Sequence, residues 1–368
     1  MRAPAWRVDA SPEVVYGVEQ PRGQLIDPIN NNSCSKAVRE QWESSPLELE
    51  QEPLRHHLLS IVAADSAHTT QLRVISNVVS LTAVRWMVAD WAVVLLDGGE
   101  AEWSEARHLV HGLRARLGVC NARMPGDRTM HVKLTLQLNF LQEMLERSYS
   151  ALFVLDADIA WSRASAVEFF ERWLHDFGAR PPLVAQGLIR GDSYYWPLSY
   201  ETWADAWQRN ATLRSVRGVR VGFTEQQCLL FDIHFFVWLM QHGGLELAIR
   251  QQAHHNQYGL TSIACGAASE YSSELLRGER MPCVLVTTPY DHFSSRLLNK
   301  DGAYLNGAKA VERFAKSRYA RWWAVEERRT WKNEPYTERW RARVWADLLA
   351  NATMGRANSS SSFGSACC

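Results

Sequence analysis

Leu152-Phe153-Val154-Leu155-Asp156-Ala157-Asp158-Ile159 is the stretch that decides the fold. Four apolar residues in a row predict a strand covered on both faces. Two carboxylates then follow at its C-terminal end, where open α/β sheets bind their ligands. Spacing by two puts Asp156 and Asp158 on one face if the strand runs on, or around one point if it turns. Crowded carboxylates repel and are each penalised by desolvation. A divalent cation relieves both effects, and oxygen donors suit Mg²⁺ or Mn²⁺. The alternative is an aspartate that caps the next helix beside a second that is solvated.

Similar apolar runs lie on both sides of this stretch. Leu58–Ala64 and Ala92–Leu96 precede it; the second is closed by Asp97-Gly98-Gly99. Leu183–Ala185, Cys228–Phe231 and Cys283–Val286 follow it. Between the runs, Ser104 to Leu117 reads as an amphipathic helix through Leu109, Leu113 and Leu117. Val132 to Phe140 alternates like a strand, but Leu134, Leu138, Leu141 and Leu145 share a helix face, and we read it as helix. Ser165-Ala166-Val167-Glu168 fits a capping box opening a helix with the stripe Val167, Phe170, Trp173, Leu174 and Phe177. Strands alternating with helices predict an α/β fold with a mixed, mostly parallel sheet flanked by helices. That domain is expected over 56–310. It follows an extended, poorly ordered lead-in over 1–55 and precedes a helical segment over 311–350 and a flexible tail over 351–368.

Composition removes several function classes. The 368 residues carry 40 basic and 40 acidic side chains, so bulk charge recruits neither nucleic acid nor an anionic membrane. No run of 18 apolar residues predicts a spanning helix, and Met1–Arg7 has no signal-peptide core. No G-x-x-x-x-G-K loop or G-x-S-x-G elbow occurs. The seven cysteines include no C-x-x-C pair, which disfavours zinc and a dithiol redox centre. Sequons at Asn31, Asn210, Asn351 and Asn358 lean toward the Golgi and secretory pathway, with the cytoplasm as runner-up. The 16 tryptophans are expected mostly in the core rather than stacked on sugars.

The order of short motifs over about 58–300 resembles a glycosyltransferase-like family, familiar in plants and described as a domain of unknown function. The matching motifs are Asp97-Gly98 followed by Trp103, the Lys133 segment through Leu141, and Tyr149 to Asp158. Gly222-Phe223-Thr224-Glu225 before Leu229-Leu230-Phe231, Tyr258-Gly259-Leu260-Thr261 with Cys265, and Val284 to His292 complete the order. The resemblance implies the GT-A fold of nucleotide-sugar transferases. Its D-x-D pair Asp156 and Asp158 would hold the metal, with His292 completing the shell. Asp97 would read the nucleotide base and Lys133 would meet phosphate. Glu225 is the candidate base that takes a proton from the acceptor hydroxyl in an inverting displacement; a structural carboxylate is the competing reading. Two positions depart from the family pattern. The residue between the aspartates is Ala157, not acidic, and the aspartate of the G-L-D element is Thr261.

The expected function is therefore metal-dependent transfer of a sugar from a nucleotide-sugar donor to a glycan or other hydroxyl acceptor. Thr261 keeps open a non-catalytic nucleotide-sugar or glycan-binding protein on a degenerate transferase fold. A haloacid-dehalogenase-like phosphotransferase also begins with a strand and D-x-D. That family's motif opens the domain and carries Thr or Val where this chain has Ala160.

Overall fold

In a computed structural model, the strand that leads into the two aspartates is β4 (Ala151–Asp156), near the middle of one nine-stranded sheet. The structure describes residues 32–45, 56–95, 103–110, 113–121, 149–191, 198–222, 224, 225, 227–241 and 259–293, with isolated positions between and beyond them. Before β4 come α1 (Asn32–Ser44), β1 (His56–Ala64), α2 (His68–Leu81), β2 (Met87–Leu95), α3 (Ser104–Val110) and β3 (Ala115–Asn121). After it come β5 (Ile159–Ala160), α4 (Arg163–His175), β6 (Val184–Gly191) and α5 (Tyr200–Arg209). The described part closes with β7 (Gly218–Arg220), β8 (Cys228–Asp232), α6 (Ile233–Gln241), α7 (Gly259–Glu270) and β9 (Cys283–His292).

The sheet order is β3-β2-β1-β4-β8-β6-β9-β5, with β7 added on β9. β3, β2, β1 and β4 run parallel, as do β6 and β9. β8 is antiparallel to both β4 and β6. The mixed, mostly parallel α/β sheet expected from the apolar runs is the observed fold. The antiparallel β8 has a direct consequence: its N-terminal approach lies beside the C-terminal end of β4.

Both faces are packed, which is why the strands read as continuous apolar runs. Leu58, Val62, Trp91, Val93, Phe153 and Leu155 point to one face, covered by α2, α3, α4 and α5 through residues such as Val78, Ala106, Phe170 and Trp203. Leu59, Ile61, Val94, Leu152 and Val154 point to the other, covered by α1, α6 and α7 through Val38, Phe236 and Ala264. Trp42, Trp91, Trp103, Trp161, Trp173 and Trp203 are all buried core residues.

Three expectations change. Part of the 1–55 lead-in is helix α1, whose Cys34, Val38 and Trp42, spaced by four, are buried against β3. Gly118 permits that approach, because a Cβ there would meet Val38 Cγ1 at 2.6 Å. The helix expected over Ser104–Leu117 stops at Val110, and Ala115–Asn121 is strand. There the alternation of Ala115, Leu117 and Val119 outweighs the four-residue spacing, and Leu109 is 58% exposed. The N-cap of α4 is Ser162, not Ser165: the Ser162 side chain accepts from the Ser165 N–H at 3.1 Å. Asp97, Lys133 and nearly all of 311–368 lie outside the described residues.

Cys34 is bonded to Cys120, and Cys265 to Cys283. The spread of seven cysteines gave no sign of either pairing. Among the described residues no helix is long and apolar enough to cross a membrane.

Candidate functional site

The aspartates emerge where β4 ends. Asp156 is its last residue, half-buried, and its N–H donates to the Gln227 carbonyl at 2.8 Å. The chain turns at Ala157-Asp158 and returns as β5, which pairs with the end of β9: Ile159 lies opposite His292 and Ala160 opposite Asp291. This short pairing brings His292 to Asp158, with Nε2 3.5 Å from Oδ2 and both side chains mostly buried. The Phe293 N–H donates to the Asp158 carbonyl at 2.9 Å, so backbone and side chain of Asp158 both meet β9. Gly191 lies opposite His292 with φ +110, a conformation that favours glycine, and a Cβ there would come within 2.6 Å of the His292 carbonyl oxygen.

The outer side of β5 is held by α2. The Asn77 carboxamide donates to the Ile159 carbonyl and accepts from the Trp161 N–H, both at 2.8 Å, and the Ser80 hydroxyl donates to the Trp161 carbonyl at 2.8 Å. Arg190 and Asp291 form an exposed ion pair at 3.0 Å on the rim.

Glu225 sits on the approach to β8 and is only 5% exposed. Its N–H donates to Gln186 Oε1 at 2.8 Å, and its Oε2 accepts from Gln227 Nε2 at 3.0 Å. Gln186 Nε2 donates to the Tyr290 hydroxyl at 3.1 Å. Burial pushes the Tyr290 phenol well above its usual range, with the charges of Cys228, Glu225 and Asp158 adding to the shift and the Gln186 hydrogen bond opposing it. Tyr290 thus stays protonated and feels both carboxylates. Gln227 is 8% exposed, and its Oε1 is buried with no hydrogen-bond partner.

Of the residues singled out from the sequence, Asp158 and His292 meet at one point, with Asp156 at the end of β4 and Glu225 on the approach to β8. Among the described residues no three His, Cys, Asp or Glu side chains gather closely enough to hold a metal. Thr261 falls in α7, four residues before the disulfide-bonded Cys265, and its side chain lies outside the described residues.

Gln186, Gln227, Tyr290 and Asn77 were not found from the sequence. Gln227 had a signal, since it stands two residues from Glu225 just before an apolar run and so shares its face. The others are joined to the site by register between distant strands. A separate cleft, lined in part by Gln41, Ser44, His108 and Arg116, opens beside the N-terminal half of β3. The parallel strands put it at the opposite end of the sheet from Asp158, and it brings no carboxylate pair.

No protein-family model matches the sequence, and no curated protein matches it. Among solved structures, a mycobacterial protein is similar with 13% identity and a TM-score of 0.38, over 72% of this chain and 75% of its own. The mannosyltransferase PcManGT from Pyrobaculum calidifontis, solved with GDP-Man and Mn2+, is similar with 11% identity and a TM-score of 0.37, over 90% of this chain and 94% of its own.

Proposed function

We propose that the chain is a metal-dependent glycosyltransferase-like protein that moves a sugar from a nucleotide-sugar donor to a hydroxyl acceptor. The observation that carries this reading is the meeting of Asp158 and His292 at the C-terminal end of β4, beside the buried Glu225. Asp158 and His292 would hold Mn²⁺ or Mg²⁺, with Asp156 on the same strand end. A divalent cation there supplies charge neutralisation for a departing nucleoside diphosphate. Glu225 is the acid–base candidate, oriented by Gln227 and, through its backbone, by Gln186. Tyr290, kept neutral by burial, leaves the negative charge of the site on the carboxylates. Asp97 and Lys133 remain the proposed contacts to base and phosphate.

Nothing described favours the phosphotransferase alternative, because β4 is the fourth strand rather than the one that opens the domain. The two disulfides fit an oxidising compartment and support the secretory reading. Asn210, exposed at the end of α5, is an accessible sequon in that setting.

Thermal unfolding against nucleoside diphosphates and nucleotide sugars, with and without Mn²⁺, tests the proposal. A ligand at a hundred times its Kd stabilises the folded state by about 2.7 kcal/mol. We expect one nucleotide to raise Tm only when Mn²⁺ is present, and Asp158→Ala to abolish the shift while remaining folded. A folded wild type that responds to no nucleotide overturns the donor site.

A further inference from the structure

The edge of the sheet at β3 is only half closed. Backbone groups of a strand turn to alternate sides with a period of two. The Arg114 carbonyl accepts from the Ala89 N–H at 3.3 Å, so the even-numbered positions of this segment face β2. The odd-numbered positions face outward, as Val119 does when its N–H and carbonyl meet the Gln41 side chain. The N–H and carbonyl groups of Leu117 and Ala115 therefore also face outward, and among the described residues no partner meets them. Unpaired groups of this kind let a sheet edge take up a further strand.

Ala115 and Leu117 line the cleft beside β3, a cavity of about 310 Å³ between the C-terminal end of α1 and α3. An added strand advances about 3.3 Å per residue, so the open stretch answers roughly three residues. Gln41 bars the edge at Val119, so such a strand must enter past Ala115 and stop below Gln41. What fits is the end of a chain, not the middle of one.

The lining selects which end. Arg116 and His108 are its basic side chains, Ser45 and Ser104 add hydroxyls, and no carboxylate side chain lines it among the described residues. Arg116 is held from behind, because its Nε and one terminal nitrogen donate to the fully buried Asp90. Its other terminal nitrogen has no partner among the described residues. A guanidinium already fixed along one edge can receive a carboxylate on another with little further ordering.

We infer that this cleft binds the carboxyl terminus of a partner protein, taken up as a short extended strand on the β3 edge. Its backbone pairs with Ala115 and Leu117, and its carboxylate meets Arg116. Entering past Ala115 and ending below Gln41, the strand runs parallel to β3 and continues the parallel order of β1, β2 and β3. The inference does not rest on the transferase reading, which concerns the other end of the sheet.

The probe is a library of fluorescein-labelled hexapeptides with free carboxyl ends and randomised last three residues, read by fluorescence polarisation against the full chain. The tightest binders are remade as carboxyl-terminal amides. Amidation should weaken binding about tenfold or more, the scale of a hydrogen bond to a charged partner. Ala115→Pro removes one outward N–H at the first position of an edge strand, where proline is tolerated and the ladder to β2 is untouched. It should bind about fivefold more weakly or worse, with Tm close to wild type, while Ala115→Ser, which keeps the N–H, binds as wild type does. Exchange of the Leu117 amide hydrogen, followed in wild type so that no variant need fold, should slow when peptide binds. A folded wild type that binds no member of the library overturns the inference. So does binding that survives amidation or a folded Ala115→Pro, and so does an unchanged Leu117 exchange rate. Stabilisation by inorganic phosphate without peptide binding would assign the cleft to a small anion instead. Self-association that Ala115→Pro abolishes, again without peptide binding, would assign the edge to a second copy of the chain. Either result overturns the inference.

Discussion

The strand path of the sheet ends at β3 and, beside β7 on β9, at β5, and both of these end strands are met by a carboxamide. At β3, Gln41 from α1 donates to the Val119 carbonyl at 2.8 Å and accepts from its N–H at 2.9 Å. At β5, Asn77 from α2 does the same to Ile159 and Trp161. Each amide takes the place of a missing strand, answering the exposed donors and acceptors that make open edges prone to pairing with other chains. The rest differs. The β3 edge carries a disulfide, the Trp42 indole bonded to the Trp91 carbonyl at 3.1 Å, and an Arg116–Asp90 pair behind it. The β5 edge, among the described residues, has hydrogen bonds and an exposed Arg190–Asp291 ion pair but no disulfide, and it adjoins Asp158. One edge is built for stability; the other sets the geometry of the site. Changes at β3 should therefore cost folding and spare binding, and changes at β5 should do the reverse.

The largest effect is expected from the Cys34–Cys120 bond, which closes a separation of 86 residues. Chain-entropy reasoning gives a loop of that size about 4.6 kcal/mol of stabilisation. Cys34→Ala with Cys120→Ala should lower the denaturation midpoint accordingly, and any nucleotide or Mn²⁺ binding by the molecules that remain folded should be unchanged. Lost binding in a folded double variant would break the division between the edges.

Next is Asp90, fully buried on β2. Arg116 Nε and a terminal guanidinium nitrogen both donate to it at 2.5 Å, the Tyr149 hydroxyl donates at 2.8 Å, and His57 Nε2 lies 2.9 Å away. The cluster ties β1, β2, β3 and the approach to β4 together at the end opposite the aspartates. Asp90→Ala strands the Arg116 charge and should cost about 3 kcal/mol. Acid should do the same reversibly. Burial pushes the Asp90 carboxyl up, but hydrogen bonds and charge from His57 and Arg116 outweigh it and hold the carboxyl below its usual range. The folded state thus releases this proton more readily than the unfolded chain does. The stabilisation is present above the ordinary aspartate range and is lost as pH falls through the lower folded value. Urea titrations from pH 6 down to pH 2 should show an acid-dependent loss in wild type that is smaller in Asp90→Ala.

How much of each edge the sequence revealed follows the same division. β1, β2, β4, β8 and β9 were visible as apolar runs because both sheet faces are covered. β3 was hidden, since Leu109, Leu113 and Leu117 mimic a helix face and no local feature marks the break between Val110 and Ala115. α1 was missed although Cys34, Val38 and Trp42 repeat every four residues, because three apolar positions among polar neighbours fall short of a sustained stripe. Its disulfide pairs residues from distant segments, which spacing does not encode. At the site, Asp156, Asp158, Glu225 and His292 could be named because they end or precede apolar runs. That β5 would fold back and set Asp158 against His292 depends on the pairing of β5 with β9, two residues long, and on Asn77 some eighty residues upstream. Contacts made by register between remote strands leave no periodic trace.

The smallest loss of stability, and the sharpest test, comes from exchanging the two carboxamides. Asn77→Ala leaves the Ile159 carbonyl and the Trp161 N–H without their partner in a buried setting, at a cost of about 2 kcal/mol. Gln41→Ala removes an equivalent pair of bonds from a partly exposed edge, where water can answer the Val119 groups, at a cost of about 1 kcal/mol. Stability alone would rank them almost together. The site separates them: Asn77 fixes the strand that follows Asp158, so its removal lets β5 shift against β9 and loosens the 3.5 Å approach of Asp158 to His292. Asn77→Ala should weaken Mn²⁺ binding about tenfold, the scale on which supporting residues of a metal site act, while Gln41→Ala should leave it as in wild type. Asn77→Asp, which keeps the acceptor for the Trp161 N–H and loses the donor for Ile159, should fall between. Equal Mn²⁺ affinity in Asn77→Ala and Gln41→Ala would mean that α2 closes an edge as α1 does, with no hold on the aspartate turn.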